Sequence, residues 1–377
     1  MKKVLLDISV LGIGYKHEEH RTGVYRVCEK TLEALINNNN YDVYFTSFLQ
    51  NDTDCIEYLN SRNDKLSSKF VATKKYKLIN ILSYLFSNKY DVIFSPYVQI
   101  PKQYRFNLFS KKYIILYDLI QVLKREWVRV EDFKNYTRFL KSLNKKDNLL
   151  CISEYTKKDL LKYGVKCNPK KVTTIPLGVD NRYKSTYTKE EVETVRKKYG
   201  IGDKKYFFSV SSMNPRKNFR HTVEGFIKFI ENYNITDVSL VLGGPKGWGN
   251  LFEGIDLNKY KNQIVLTGFV DEKDLPLLYS GAIGSVYLSL YEGFGLPPLE
   301  SIYCNTPVIA SNTTSIPEVV GGAGLLIDPS NIEQLVDAYK TIYEEKFNIK
   351  TFQIEAKKQI QKYNWKNFQE KLYEVLN

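Results

Sequence analysis

Along this chain, short apolar runs of strand length alternate with longer amphipathic stretches, and the alternation runs through twice. In the first half KVLLDIS, DVYFTSF, DVIFSPY, YIILYDLI, NLLCIS and KVTTIPLGV have the β-branched, apolar content of buried strands, and RTGVYRVCEKTLEALINN has the period of a crossover helix. In the second half YFFSVSS, VSLVLGG, QIVLTGF, GSVYLSL, PVIAS and GLLIDP repeat the pattern. Strands apolar on both faces must be covered on both, and parallel neighbours need long crossovers, which the intervening stretches supply. The expected class is α/β, with two doubly wound Rossmann-like domains facing an interdomain cleft at the carboxyl ends of their strands. At 377 residues the chain exceeds the roughly 250–300 at which a single core stops growing.

The boundary is expected after IPLGVD. Residues 1–180 would form an amino-terminal domain, 181–205 a linker with a surface helix, and 206–360 the second domain. Residues 361–377 would form a helix packing back on the first domain, with Trp365, Phe368, Leu372 and Val375 along its apolar face.

Charge divides along nearly the same line. Residues 1–185 hold 33 Lys and Arg against 19 Asp and Glu, a net of +14, whereas 186–377 hold 22 against 23. Such a field attracts nucleic acid, anionic lipid or phosphorylated substrates. Zinc-finger spacing, an RNP-like aromatic motif and a Gly-rich basic tail are all missing, which argues against nucleic acid. The stretch Lys74–Tyr90, KKYKLINILSYLFSNKY, puts Leu78, Ile81, Leu82 and Leu85 at helical spacing among lysines. That pattern suits a membrane-surface helix or a core-facing helix with solvated lysines, and the concentration of charge in this half favours an anionic membrane surface.

Asp7 interrupts the apolar start, so the amino terminus reads as a strand and not as a signal peptide. No apolar run reaches the roughly 18 residues of a spanning helix. Five cysteines without a CxxC pair suit free thiols in a reducing compartment. The expected location is the cytoplasm, with peripheral contact at the inner face of the membrane.

Two polar stretches interrupt the second apolar series. SVSSMNPRKNFRHTVEGF sets Arg216 and Lys217 between a strand and a helix, where a planar fork beside a point charge suits a diphosphate. Standing alone, that pair would read more readily as a solvated basic turn. YLSLYEGFGLPPLESIYC sets Glu292 in the exit loop of a buried strand, followed by the amides of Gly293, Phe294, Gly295 and Leu296. Glu300 follows in the first turn of a helix started by Pro297 or Pro298. Carboxylates there accept hydrogen bonds from vicinal hydroxyls, while the loop amides suit phosphate. A first-turn glutamate complementing the helix dipole would also account for Glu300, but nothing of that kind accounts for Glu292.

The first half has no G-x-G-x-x-G after its first strand. Gly12 and Gly14 lead into a polar loop, and Gly23 opens a helix, either to let backbone approach a phosphate or as an ordinary turn. At the end of a later strand Asp118 follows Tyr117, placed to meet donor or acceptor or to cap a helix.

The string E-G-F-G-L-P-P-L-E at 292–300, an E-x7-E pattern, together with PRKN at 215–218, resembles the retaining glycosyltransferases of family 4. RTGVYR at 21–26, YDL at 117–119, SEYTKKDL at 153–160, IPLGVD at 175–180, LTGFVDEKDLPLLYSGA at 266–282 and TPVIASNTTSIPEVVGGAGLLIDP at 306–329 extend the resemblance over essentially the whole chain. It implies the GT-B fold, a nucleotide-diphosphate sugar held mainly by the second domain, an acceptor held by the first, and transfer with retained configuration. Arg216 and Lys217 would bind the diphosphate, Glu300 the ribose hydroxyls, and Glu292 with the Gly293–Leu296 backbone the donor sugar and phosphate. Gly23 would approach the donor phosphates, and Glu292, Lys217 and Asp118 would serve in catalysis. Many relatives have His-Asp where this chain has Tyr117-Asp118.

The resemblance implies no obligatory cofactor and no metal. The forms SIPEVVGGAGLLIDP and Tyr-Asp-Leu are similar to mannosyltransferases of O-antigen or capsule type. The expected function is therefore transfer of a hexose from GDP-mannose or a UDP-hexose to a glycan or lipid-linked glycan in bacterial surface-polysaccharide assembly. A sugar-nucleotide epimerase on the same fold and a non-catalytic partner subunit remain as alternatives, and intact Arg216, Lys217, Glu292 and Glu300 argue against the second.

Overall fold

The computed structural model describes residues 1–72, 89–105, 107–212, 214–244 and 249–377, so all but the last two residues of the Lys74–Tyr90 stretch lie outside the described residues. The chain divides into two compact units, Met1–Leu177 with Phe368–Asn377, and Gly178–Asn367. The first holds β1 (Lys2–Asp7), β2 (Tyr41–Thr46), β3 (Val92–Ser95), β4 (Lys111–Leu116), β5 (Asn148–Cys151) and β6 (Val172–Thr174). They form one parallel sheet in the order β2-β1-β3-β4-β5-β6.

The second unit holds β7 (Lys205–Val210), β8 (Val238–Gly243), β9 (Ile264–Gly268), β10 (Gly284–Tyr287), β11 (Val308–Ser311) and β12 (Gly324–Ile327). These also pair in parallel, in the order β12-β11-β10-β7-β8-β9. The central strands are buried on both faces, as Tyr206 to Phe208 and Leu240 to Leu242 show, which is why both sheets read as unbroken apolar runs. Helix Phe219–Asn232 covers one face of the second sheet with Val223, Phe226 and Phe229, and Phe229 stacks on Tyr339 of helix Ile332–Tyr343 at 5.7 Å.

Strand order decides where a ligand can sit. In doubly wound sheets the chain leaves in opposite directions from two neighbouring strands, and the gap between their exit loops is the binding crevice. In the second sheet that reversal falls between β7 and β10. PRKN follows β7 and EGFG follows β10.

The first sheet departs locally from the sequence reading. The stretch after β1, where Gly12 and Gly14 were expected to lead from the strand into a polar loop, is helix Ser9–Lys16 with both glycines inside it. A Cβ on Gly14 would stand 2.3 Å from the Tyr25 ring, so this glycine lets that helix lie against helix Gly23–Ile36. The carboxyl end is two helices, Ile349–Lys362 and Trp365–Leu376, interrupted where Tyr363 turns out of helical geometry and its hydroxyl bonds the Glu318 carbonyl at 2.8 Å. Beyond the break Phe368, Leu372 and Leu376 are buried. Tyr113 donates to the Val375 carbonyl at 2.8 Å and Tyr373 to that of Ala34 at 2.7 Å.

Asp7, at the end of β1, is 1% exposed. Its Oδ1 accepts the Ser9 hydroxyl at 2.5 Å and the Phe48 N–H at 2.9 Å, and its Oδ2 has no hydrogen-bond partner among the described residues. Burial raises the carboxyl from 3.8 to about 6 against the lowering effect of those bonds. The folded state thus holds this proton more tightly than the unfolded chain does. The resulting stability is present below pH 3.8 and lost as pH rises through about 6. In urea unfolding, Asp7→Asn is expected to gain on wild type between pH 3 and pH 8 by up to about 3 kcal/mol; a gap independent of pH would contradict the buried-proton reading.

Candidate functional site

At the switch point of the second sheet, Pro215–Lys217 forms one tight turn started by Asn214, whose Oδ1 accepts the Arg216 N–H at 3.1 Å. Asn218 then takes a left-handed conformation (φ 58°), anchors its amide on the Pro329 carbonyl at 2.8 Å, and starts helix Phe219–Asn232. The Leu290 N–H donates to the Arg216 carbonyl at 2.7 Å, tying this turn to the exit loop of β10.

Glu292 is the centre of the site. Its Oε1 accepts from Arg216 Nη1 at 2.6 Å, Lys217 Nζ at 2.6 Å, the Ser289 hydroxyl at 2.6 Å and the Tyr287 hydroxyl at 2.9 Å. Among the described residues, each of these four donors lands on Oε1 and none on Oε2. Lys217 also donates to the Tyr287 oxygen at 2.6 Å, so the phenol passes a hydrogen bond from the ammonium to the carboxylate.

Burial pushes the Glu292 carboxyl upward, but Lys217 and Arg216 outweigh it and hold the group down at about 2. A carboxylate that acidic stays ionised at neutral pH and is a poor proton acceptor. It can fix cations, orient hydroxyls and face developing positive charge. The Tyr287 phenol is driven well above its ordinary range by burial and then by the Glu292 charge.

The loop after Glu292 is held from below. Thr314 Oγ1 accepts the Glu292 N–H at 3.1 Å, and the Ser315 hydroxyl lies 2.9 Å from the Glu292 carbonyl and 2.7 Å from that of Phe294. The Phe294 ring is buried edge-on against Tyr363 at 5.4 Å, so only its backbone is placed to meet a ligand. Gly295 adopts φ 116°, where a side chain would be strained and its Cβ would lie 2.7 Å from Ile316. Gly293 completes the turn, and the helix begins at Leu296 and runs to Tyr303. Glu300 is consequently in the second turn, not the first, and the helix dipole does not explain it. Pro297 and Pro298 carry no N–H, so the backbone donors at this helix start are those of the Gly293–Leu296 segment. Glu300 is 4% exposed, and its charge bears on both the Tyr279 and Tyr287 phenols.

The structure thus brings Arg216, Lys217 and Glu292 together directly, with Glu300 near them through Tyr287. Gly23 and Asp118 belong to the first unit. Gly23 is the first residue of its helix, after Thr22. Asp118 Oδ1 accepts the Ile120 N–H at 3.0 Å just ahead of a short helical turn, Ile120–Leu123, whose N-cap is Leu119. The Tyr117 hydroxyl is buried beside the Cys28 thiol, and burial raises it well above its ordinary range. The hydroxyl therefore points inward on a side chain that is itself half-buried.

Asp52-Thr53-Asp54, a D-x-D string passed over in the sequence, opens helix Asp52–Arg62 with both carboxylates in its first turn. Among the described residues no three His, Cys, Asp or Glu side chains cluster as metal ligands. Tyr287 and Ser289 were also missed, although Ser285, Tyr287 and Ser289 alternate as hydroxyl-bearing residues along β10 and into its exit loop.

Residues 191–366 match the family model described as glycosyl transferases group 1. O-antigen chain mannosyltransferase B of Escherichia coli is 32% identical over 196 residues, 52% of this chain and 51% of that protein. The serotype-specific mannosyltransferase WbdA of the same species is 24% identical over 270 residues, 68% of this chain and 32% of that protein. The chain therefore spans about half, or less, of the length of these curated relatives. Among solved structures, Anabaena Alr3699/HepE in complex with UDP and glucose superimposes with a TM-score of 0.70 at 15% identity, over 100% of this chain and 99% of that one. Residues 191–366 belong to the glycosyl transferases group 1 family, in a chain with the GT-B fold.

Proposed function

We propose that this protein moves a hexosyl group from a nucleoside-diphosphate sugar to a glycan or lipid-linked glycan acceptor, with retained anomeric configuration, in the assembly of a surface polysaccharide. The observation that carries the reading is the cluster at the switch point, where one carboxylate oxygen holds both Arg216 and Lys217. As the glycosyl–phosphate bond breaks, negative charge builds on the departing diphosphate and positive charge on the sugar. The adjacent cations suit the first, while the ionised Glu292 suits the second. Oε2 would accept a hydroxyl of the bound sugar, and Glu300 the ribose hydroxyls.

The leaving phosphate would take the acceptor proton on the same face, so the paired-carboxylate geometry of glycosidases is not required. Mannose is the favoured sugar because curated relatives are named mannosyltransferases; GDP is the favoured nucleotide and UDP the competitor. The acceptor would be held by the first unit, with Asp118 and Gly23 at the carboxyl ends of its strands, and the protein would work at the inner face of the membrane.

The deciding experiment is a thermal-shift panel with GDP-, UDP-, ADP- and dTDP-sugars and the free nucleotides, on wild type and Glu300→Ala. One nucleotide class is expected to stabilise wild type by about 2.7 kcal/mol at 100 times its dissociation constant, and most of that shift should vanish in Glu300→Ala. No shift with any nucleotide would remove the donor-site reading and leave a non-catalytic partner in its place.

A further inference from the structure

At the amino ends of the strands of the first sheet, opposite the edge that carries Gly23 and Asp118, the chain presents two adjacent exposed apolar side chains, Leu108 at 63% and Phe109 at 55% exposure. They are not loosely held. Asn107 Oδ1 accepts the N–H groups of Phe109 at 3.0 Å and Ser110 at 2.9 Å, and the buried Lys112 ammonium donates to the Ser110 carbonyl at 2.8 Å and to that of Asn107. The turn therefore holds both side chains outward.

Strand register puts a row of lysines on either side. Lys3 lies at the start of β1, Lys111 pairs with Val92 at the start of β4, and Lys146 and Lys170 precede β5 and β6. All four are exposed. At about 4.8 Å per strand, the row from β1 to β6 is roughly 20 Å wide. Asp91 is an exposed carboxylate within it, and its Oδ2 accepts the Lys3 N–H at 2.8 Å. A broad cationic rim around a rigid apolar tip matches an anionic bilayer, with acyl chains for the tip and headgroups for the rim. A folded protein partner would need a matching acidic surface with an apolar socket.

We infer that the amino-end edge of the first sheet, with Leu108 and Phe109 at its tip, docks this protein on an anionic membrane surface. The inference rests on the membrane contact proposed above and assigns it to a surface remote from the Glu292 cluster in sequence and in unit.

The test is flotation of the full chain with phosphatidylglycerol/phosphatidylcholine vesicles and with phosphatidylcholine alone, for wild type, Leu108→Ser/Phe109→Ser and Lys111→Glu/Lys146→Glu. Wild type should float with the anionic vesicles only, and each double variant should partition at least about tenfold less. The nucleotide-induced thermal shift should be unchanged in both variants, which separates a failure of docking from a failure of the donor site. Wild type remaining unbound, either double variant floating like wild type, or flotation that appears only on adding another protein would overturn the assignment; the last would give this surface to a protein partner.

Discussion

Lys217→Ala is expected to lower kcat by about 10²–10³-fold. The ammonium is nearly buried, with its side chain 10% exposed, and is fixed between Glu292 and the Tyr287 phenol. Such preorganisation lets a cation stabilise a leaving diphosphate without reordering as charge develops. The fold should survive, because the Glu292 oxygen keeps Arg216, Ser289 and Tyr287 as donors. The loss of unfolding free energy should therefore stay within about 2 kcal/mol. Turnover assays on the purified variant, beside a thermal melt, separate the two effects. Wild-type turnover in Lys217→Ala would show that the cluster is a structural ion pair and that the donor site lies elsewhere.

Glu292→Gln tests the other side of the cluster, and its largest effect is on stability. The folded carboxyl lies near 2 against 4.5 for the free group, because Lys217 and Arg216 more than offset burial. A carboxyl with a lowered value contributes stability that is present above pH 4.5 and is lost as pH falls through about 2. The shift is worth on the order of 3 kcal/mol at neutral pH. A glutamine keeps the size and an accepting oxygen but leaves two largely buried cations without their counter-charge, which is severe. Urea unfolding at pH 7 should show a loss of that order, and the gap to wild type should narrow as pH drops towards 2. Equal stability at pH 7 would mean the four donors are satisfied elsewhere and that Glu292 does not organise the site.

The sequence carried the architecture because both sheets are parallel and covered on both faces, so every strand is a short apolar run set off by an amphipathic one. Glu292, Arg216 and Lys217 were legible for a related reason: charge at the end of a buried strand needs an explanation, and strand order brings the two loops together. What escaped notice depends on three-dimensional packing. Helix Ser9–Lys16 was hidden by Gly12 and Gly14, which weaken helical propensity but let two helices touch. The turn holding Glu300 was misplaced because proline favours the first helical position, whereas Gly295, at φ 116°, starts the helix at Leu296, ahead of both prolines. Tyr287 and Ser289 passed as strand residues because a hydroxyl in a strand is informative only once its neighbours are known. The inward-facing Tyr117 shows the reverse case, in which a residue at a family's working position packs its hydroxyl into the core.

The edge bearing Leu108 and Phe109 also has a consequence for reach. β1 is six residues long, so at about 3.3 Å per residue its two ends stand roughly 20 Å apart. A protein resting on a bilayer through the amino ends of these strands would carry their carboxyl ends that far above the headgroups, with the sheet acting as a rigid stilt. A sugar attached directly to the lipid would lie beneath that height. Under the proposed docking, the acceptors best served would be chains already several units long, and a sugar on the lipid itself would be served poorly.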